Sequence, residues 1–156
     1  MGLFKKKTSL EVGGYIPNFA LKNQNGEQVS FPKNITGNGA VIYFYPKNES
    51  GVCTKEACTF GENYDKFLQA GIHVFGINAA SEKEHRQFQQ NHSLPFSLLS
   101  DPGNKVLKSF NIPGVLFLTG RETFVIDKAG KIVFKYRGFL NGEAHAEEVI
   151  RYLQIK

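Results

Sequence analysis

Cysteine is scarce in this chain of 156 residues: there are two, Cys53 and Cys58. Two thiols cannot build the framework of bridges that staples small secreted domains, so they are free, redox-active or metal-bound. No Cys-x-x-Cys pair occurs, which counts against a general disulfide exchanger. Histidine is almost as scarce. His73, His85, His92 and His145 stand in no Cys-x-x-Cys or His-x-x-x-His arrangement. His85 and His92 share a helix face but sit about 10.5 Å apart along it, too far for one ion. Each histidine reads as a surface residue or a satisfied core residue, and neither a metal nor another cofactor is implied. No apolar run reaches the length of about 18 residues that a membrane helix needs. Leu3-Phe4 is too short for the apolar centre of a signal peptide. Aromatic and basic residues are nowhere interleaved, so there is no platform for nucleic acid. The expectation is a cytoplasmic protein with neither a membrane nor a nucleic-acid partner.

What is present is ordinary for a folded domain: 41% hydrophobic and 21% charged residues, with a net charge of +5. Part of that excess is the run Lys5-Lys6-Lys7, and residues 1–10 read as a flexible basic tail. The length fits a single domain over 1–156, with no internal repeat, low-complexity tract or linker.

Residues 20–31 read as a β-hairpin turning at Asn25-Gly26. Residues 40–45 are a continuous apolar run and hence a buried central strand, ended by Pro46. A polar loop follows to Val52. From Cys53 to Ala70 the pattern is helical, with Ala57, Phe60, Tyr64, Phe67 and Leu68 on one face. Gly61 is an awkward residue inside it, and Gly71 closes it. Residues 72–78 form a second buried strand. Ser81 and Glu84 make a capping box for the next helix. A short strand at 96–99, a turn at Asp101-Pro102-Gly103 and a short helix over 104–110 come next. A hairpin of 123–126 and 132–136 and a final helix over 143–153 complete the chain. This alternation predicts an α/β fold with a mixed central sheet, helices on both faces and an N-terminal hairpin.

Cys53 stands where a buried strand hands over to a helix. Unsatisfied N–H groups and the positive helix end favour an anion there, and a thiolate is one. A buried, inert cysteine remains an alternative on position alone. Cys58 lies five residues on. In an intact helix such residues are about 140° apart around the axis and about 8.7 Å apart at Cα. A disulfide spans at most about 6.8 Å. The two can bond only if the first turns unwind, and Gly61 lies just beyond that segment. The spacing leaves open that Cys58 is a core residue beside Ala57.

Residues 43–58, Tyr-Phe-Tyr-Pro-Lys-Asn-Glu-Ser-Gly-Val-Cys-Thr-Lys-Glu-Ala-Cys, resemble the active-site block of peroxiredoxins of the bacterioferritin-comigratory or Q-type subfamily. The family pattern Pro-x-x-x-Thr/Ser-x-x-Cys is met by Pro46, Ser50 and Cys53, and its downstream arginine by Arg121. Leu98-Leu99-Ser100-Asp101-Pro102 is also similar to the family, and the chain from Phe117 onward is most similar to plant and cyanobacterial members. The resemblance implies a thioredoxin-like fold and a thiol peroxidase for hydrogen peroxide and organic hydroperoxides. It implies Cys53 as nucleophile and Cys58 as resolving cysteine. Thioredoxin or a similar dithiol would be the reductant, and the enzyme a monomer without cofactor. It gives Arg121 and the N–H groups of Val52 and Cys53 the charge that builds on the leaving oxygen. Ser50 would accept from the peroxide and donate to sulfur, and Pro46 would wall out water. The chain departs from many relatives at Ser50 for Thr, at Gly51-Val52 for Pro-Gly, and at Gly61 for a basic residue. Read from residues alone, Arg121 would pair at the surface with Glu122 or a neighbour. A redox sensor or a protein-disulfide oxidoreductase would use the same cysteines, and steady peroxide turnover separates the enzyme from both.

Overall fold

The computed structural model describes residues 10–114 and 119–153. The expected tail lies outside these residues apart from Leu10, whose N–H donates to Phe110 O at 3.2 Å. Residues 117 and 118, where the similarity to plant members begins, also lie outside them.

The elements are β1 (Phe19–Asn23), β2 (Gln28–Phe31), β3 (Gly39–Phe44), α1 (Gly51–Glu62), α2 (Tyr64–Gln69), β4 (Ile72–Asn78), α3 (Glu82–His92), β5 (Ser97–Ser100), a 3₁₀ turn (Pro102–Asn104), α4 (Lys105–Ser109), β6 (Glu122–Asp127), β7 (Ile132–Arg137) and α5 (Gly142–Leu153). The strands form one sheet in the order β2-β1-β5-β4-β3-β6-β7. β3, β4 and β5 run parallel, and every other pairing is antiparallel. The mixed sheet and its N-terminal hairpin are those expected from the sequence.

β3 is an interior strand between β4 and β6, and all six of its residues are buried. Strand alternation sends Val41 and Tyr43 into one core and Ala40, Ile42 and Phe44 into the other. The first core takes Cys53, Ala57 and Phe60 of α1, Phe67 of α2, Phe88 of α3 and Ala146 and Val149 of α5. The second takes Val106 and Leu107 of α4. Ser81 caps α3 by the predicted box: its Oγ accepts from Glu84 N–H at 3.1 Å, and its N–H donates to Glu84 Oε1 at 3.0 Å.

The cysteine helix differs from expectation at both ends. It starts at Gly51, because the Ser50 side chain accepts from the Cys53 N–H and makes Ser50 the cap. It breaks at Asn63, whose Nδ2 donates to Thr59 O at 2.8 Å. A side chain that satisfies a helical carbonyl in this way offers the backbone an exit. Gly61 has a packing reason as well as a helix-weakening one: a Cβ there would lie 3.3 Å from Pro95 Cδ. At the other side of α1, a Cβ on Gly142 would fall 2.3 Å from Val52 O. Glycine at that position lets the first turn of α5 lie directly on the first turn of α1.

Candidate active site

The chain leaves β3, crosses a short loop and enters α1 at the carboxyl edge of the sheet, where open α/β folds tend to bind ligands. Asn48 organises that loop. Its Oδ1 accepts from Tyr45 OH at 2.7 Å and from Asn78 Nδ2 at 3.1 Å. Its Nδ2 lies 3.3 Å from His85 Nδ1. His85 Nε2 is 3.0 Å from Leu99 O, so Nε2 carries the hydrogen and Nδ1 accepts from Asn48. Glu49, held at φ 65°, ties the loop to the end of α3. Its carboxylate accepts from Asn91 Nδ2 at 2.7 Å and lies 2.6 Å from His92 Nε2. The His92 contact and the Asn91 hydrogen bond hold the Glu49 carboxyl below its ordinary range.

Cys53 is the third residue of α1 and is 1% exposed. Arg121, immediately before β6, is buried rather than at the surface. It sends Nη2 to Cys53 Sγ at 3.1 Å, Nη1 to Glu56 Oε1 at 2.5 Å and Nε to Phe139 O at 2.9 Å. Burial alone would lower its basicity, but Glu56 and Cys53 together raise it above the ordinary arginine value. Glu122 pairs with Arg137 instead, at 2.5 Å. Ser50 Oγ accepts from the Cys53 N–H at 3.3 Å and donates to Lys47 O at 3.4 Å. Its hydroxyl is thus turned to backbone and not to sulfur, and one of the two N–H groups expected to face peroxide is occupied by it. The Val52 N–H, second in the helix, has no intrahelical partner to take it. Pro46, Lys47, Ser50, Val52, Cys53, Arg121 and Phe139 line a cavity of about 290 Å³. Four of the five residues singled out from sequence therefore meet in one pocket with Cys53 at its floor.

The fifth, Cys58, lies on the same unbroken helix and lines a separate cavity of about 270 Å³ with Gly61, Glu62 and His92. Both thiols are free. Burial, and after it the Glu62 charge, pushes the Cys58 thiol up.

Glu56 was not singled out from sequence, because a glutamate three residues into a polar helix start resembles a solvated face. The signal was its phase: positions 53, 56, 57 and 60 are one stripe, and a carboxylate on a buried stripe needs a partner. Glu56 is fully buried. Burial, opposed by Arg121, pushes its carboxyl up to about 8. His145 of α5 is also fully buried, with Nδ1 2.7 Å from Thr123 Oγ1 and Nε2 2.6 Å from Gly138 O.

These buried groups set the pH dependence of folding. Burial holds both His85 and His145 down to about 4, against an ordinary 6.5, while Glu56 rises to about 8 from 4.5. Between pH 4.5 and 6.5 the unfolded chain binds two protons on these histidines that the folded protein lacks. The folded protein keeps one on Glu56 that the unfolded chain has lost. The net is one extra proton on the unfolded chain, so stability rises with pH by about 1.4 kcal/mol per unit. From pH 6.5 to 8 only Glu56 counts, and stability falls with a similar slope. A urea midpoint followed across this range should peak near pH 6.5. A midpoint that climbs steadily to pH 8 would contradict the assignment.

The model of the AhpC/TSA family matches residues 12–135. The chain is 44% identical over 154 residues to the chloroplastic peroxiredoxin Q of Sedum lineare, an alignment covering 97% of this chain and 81% of that protein. It is 43% identical over 144 residues to the chloroplastic peroxiredoxin Q of Oryza sativa subsp. japonica, covering 91% of this chain and 66% of that one. Among solved structures, peroxidoxin BcpB from Mycobacterium tuberculosis superposes with a TM-score of 0.86 at 26% identity, covering 93% of this chain and 97% of that one. Xanthomonas campestris peroxiredoxin Q superposes with a TM-score of 0.79 at 29% identity, covering 87% and 89%. Matched over most of its length in sequence and in fold, the chain belongs to the AhpC/TSA family: it is a peroxiredoxin, a thiol peroxidase of thioredoxin-like fold.

Proposed function

We propose that this peroxiredoxin reduces hydrogen peroxide and organic hydroperoxides with Cys53 as nucleophile and Cys58 as resolving thiol, and that thioredoxin recycles it. The observation that carries this reading is the Arg121 guanidinium 3.1 Å from Cys53 Sγ inside the pocket walled by Pro46. The Cys53 thiolate attacks the distal oxygen of ROOH, and the O–O bond breaks. The sulfur becomes a sulfenic acid, and RO⁻ leaves and takes a proton to become ROH. Arg121 and the Val52 N–H are placed to stabilise the leaving oxygen. The Cys58 thiol then condenses with the sulfenic acid, releasing water and forming the disulfide. An external dithiol reduces that disulfide by exchange.

The two cysteines lie on one helix, so the disulfide requires α1 to open from Cys53 to Cys58. Unwinding also takes Cys58 out of the burial that holds it protonated. After one equivalent of peroxide, mass spectrometry should find a Cys53–Cys58 link within one chain. Amide exchange should quicken over residues 53–60 while 41–45 stay protected. A link between chains, or a stable sulfenic acid with Cys58 free, would refute the resolving step. A link within one chain needs no second copy, which supports action as a monomer; sedimentation across a concentration series tests that. The plant relatives are named as chloroplastic, whereas we place this chain in the cytoplasm; imaging of the tagged full-length protein decides between the two.

A further inference from the structure

The peroxidase reading uses Arg121 but leaves its second partner unexplained. A carboxylate that neutralises Arg121 would compete with the thiolate for the same cation. Glu56 is placed to do that, with Oε1 2.5 Å from Nη1. Its other oxygen has no hydrogen-bond partner among the described residues, although it is fully buried. What Oε2 faces is His145 Nδ1, at 3.4 Å. The tautomer of that ring is fixed by its surroundings. Gly138 O, 2.6 Å from Nε2, can only accept, so Nε2 carries the hydrogen. Burial holds the ring neutral, so Nδ1 is a lone pair, and the Thr123 hydroxyl donates to it at 2.7 Å. That one lone pair is taken by Thr123 and gives Oε2 no donor, so a carboxylate oxygen there would be a buried anion without a partner, whereas a carboxylic acid leaves no charge unpaired.

We infer that Glu56 carries a proton on Oε2 in the reduced protein, held there by the fixed tautomer of His145, and that this proton leaves the charge of Arg121 to the Cys53 thiolate. Glu56 and His145 are thus positioning residues acting through Arg121, and the inference rests on the peroxidase reading above. With the proton present, thiolate, guanidinium and neutral acid sum to zero charge. Without it, two anions share one cation, and less of it remains for the leaving oxygen. The groups facing Glu56 are Cys53 from its own helix, the phenols of Tyr43 in β3 and of Tyr45 just after it, Arg121 ahead of β6, and His145 from α5. Arg121 is the one cation among them. Burial, which pushes the Glu56 carboxyl up to about 8, acts in the same direction as this geometry.

Infrared difference spectra of the reduced full-length protein test the proton directly. Titration from about pH 7 to about pH 9, where ordinary carboxyls are already ionised, should remove one protonated-carboxyl band. That band should be missing in Glu56→Gln. His145→Asn places an amide near the Nδ1 position that can donate where the ring nitrogen only accepts, so the band should be lost at lower pH. The rate constant for peroxide should fall on the alkaline side of the wild-type profile in step with the band, and that limb should vanish in Glu56→Gln. Wild type without the band would overturn the inference, even if neither variant folds. So would an unmoved midpoint in His145→Asn, or a Glu56→Gln rate lowered by one factor at every pH. The infrared arm needs no peroxide, so it stands or falls separately from the peroxidase reading, which fails only if Cys53 does not consume peroxide.

Discussion

Replacing Cys53 by serine should reduce peroxide turnover to background. The substitution is a clean test because it changes little else. Serine has nearly the volume of cysteine, the Ser50 cap reaches the backbone N–H of residue 53 and not its side chain, and the Arg121 Nη2 that donates to the sulfur can donate to a hydroxyl oxygen instead. Stability should therefore move by no more than about 1 kcal/mol. What is lost is a sulfur that can carry negative charge beside Arg121, since a serine hydroxyl is not an anion at neutral pH. A Cys58→Ser partner separates the steps: it should still consume one equivalent of peroxide and stop at the sulfenic acid. Near-normal turnover in Cys53→Ser would sink the assignment.

Arg121→Ala should lower the second-order rate with peroxide by on the order of 10²-fold or more, the cost of one lost oxyanion donor. The guanidinium uses three nitrogens on three partners, Cys53 Sγ, Glu56 Oε1 and Phe139 O. Alanine leaves each of them without its donor. Arg121→Lys keeps the charge but not the planar fork, so it should restore only part of the rate. A rapid-mixing measurement in which Arg121→Ala matches wild type would show the residue to be a structural strut.

The strands, the helices and the apolar faces follow from local patterns, so most of the elements are legible in the sequence, whereas the strand order rests on long-range pairing. The six apolar residues before Pro46 can only be an interior strand, and the strand-to-helix junction points at Cys53. Arg121 is different. Its neighbours in sequence suggest a surface ion pair, and only the resemblance to peroxiredoxins brings it to the site. The break at Asn63 depends on one side chain satisfying a carbonyl in its own helix, which no periodicity reveals. The Glu56–His145 contact joins residues 89 positions apart, through the packing of α5 on α1 that Gly142 permits. Contacts of that kind leave only the trace seen here, a charge in phase with an apolar stripe.

Arg121 also acts as a fastening between segments far apart in the sequence. It grips the first turns of α1 through Cys53 and Glu56, and the stretch before α5 through Phe139 O. One of those grips depends on the negative charge of the sulfur. In the proposed cycle the first chemical step consumes that charge, so the oxidation that makes opening necessary also loosens the fastening that prevents it. Sequence in time is thereby built into a single side chain: capture of the oxidant comes before release of the helix. The thiolate stays sheltered from stray disulfide exchange for as long as it has not yet reacted.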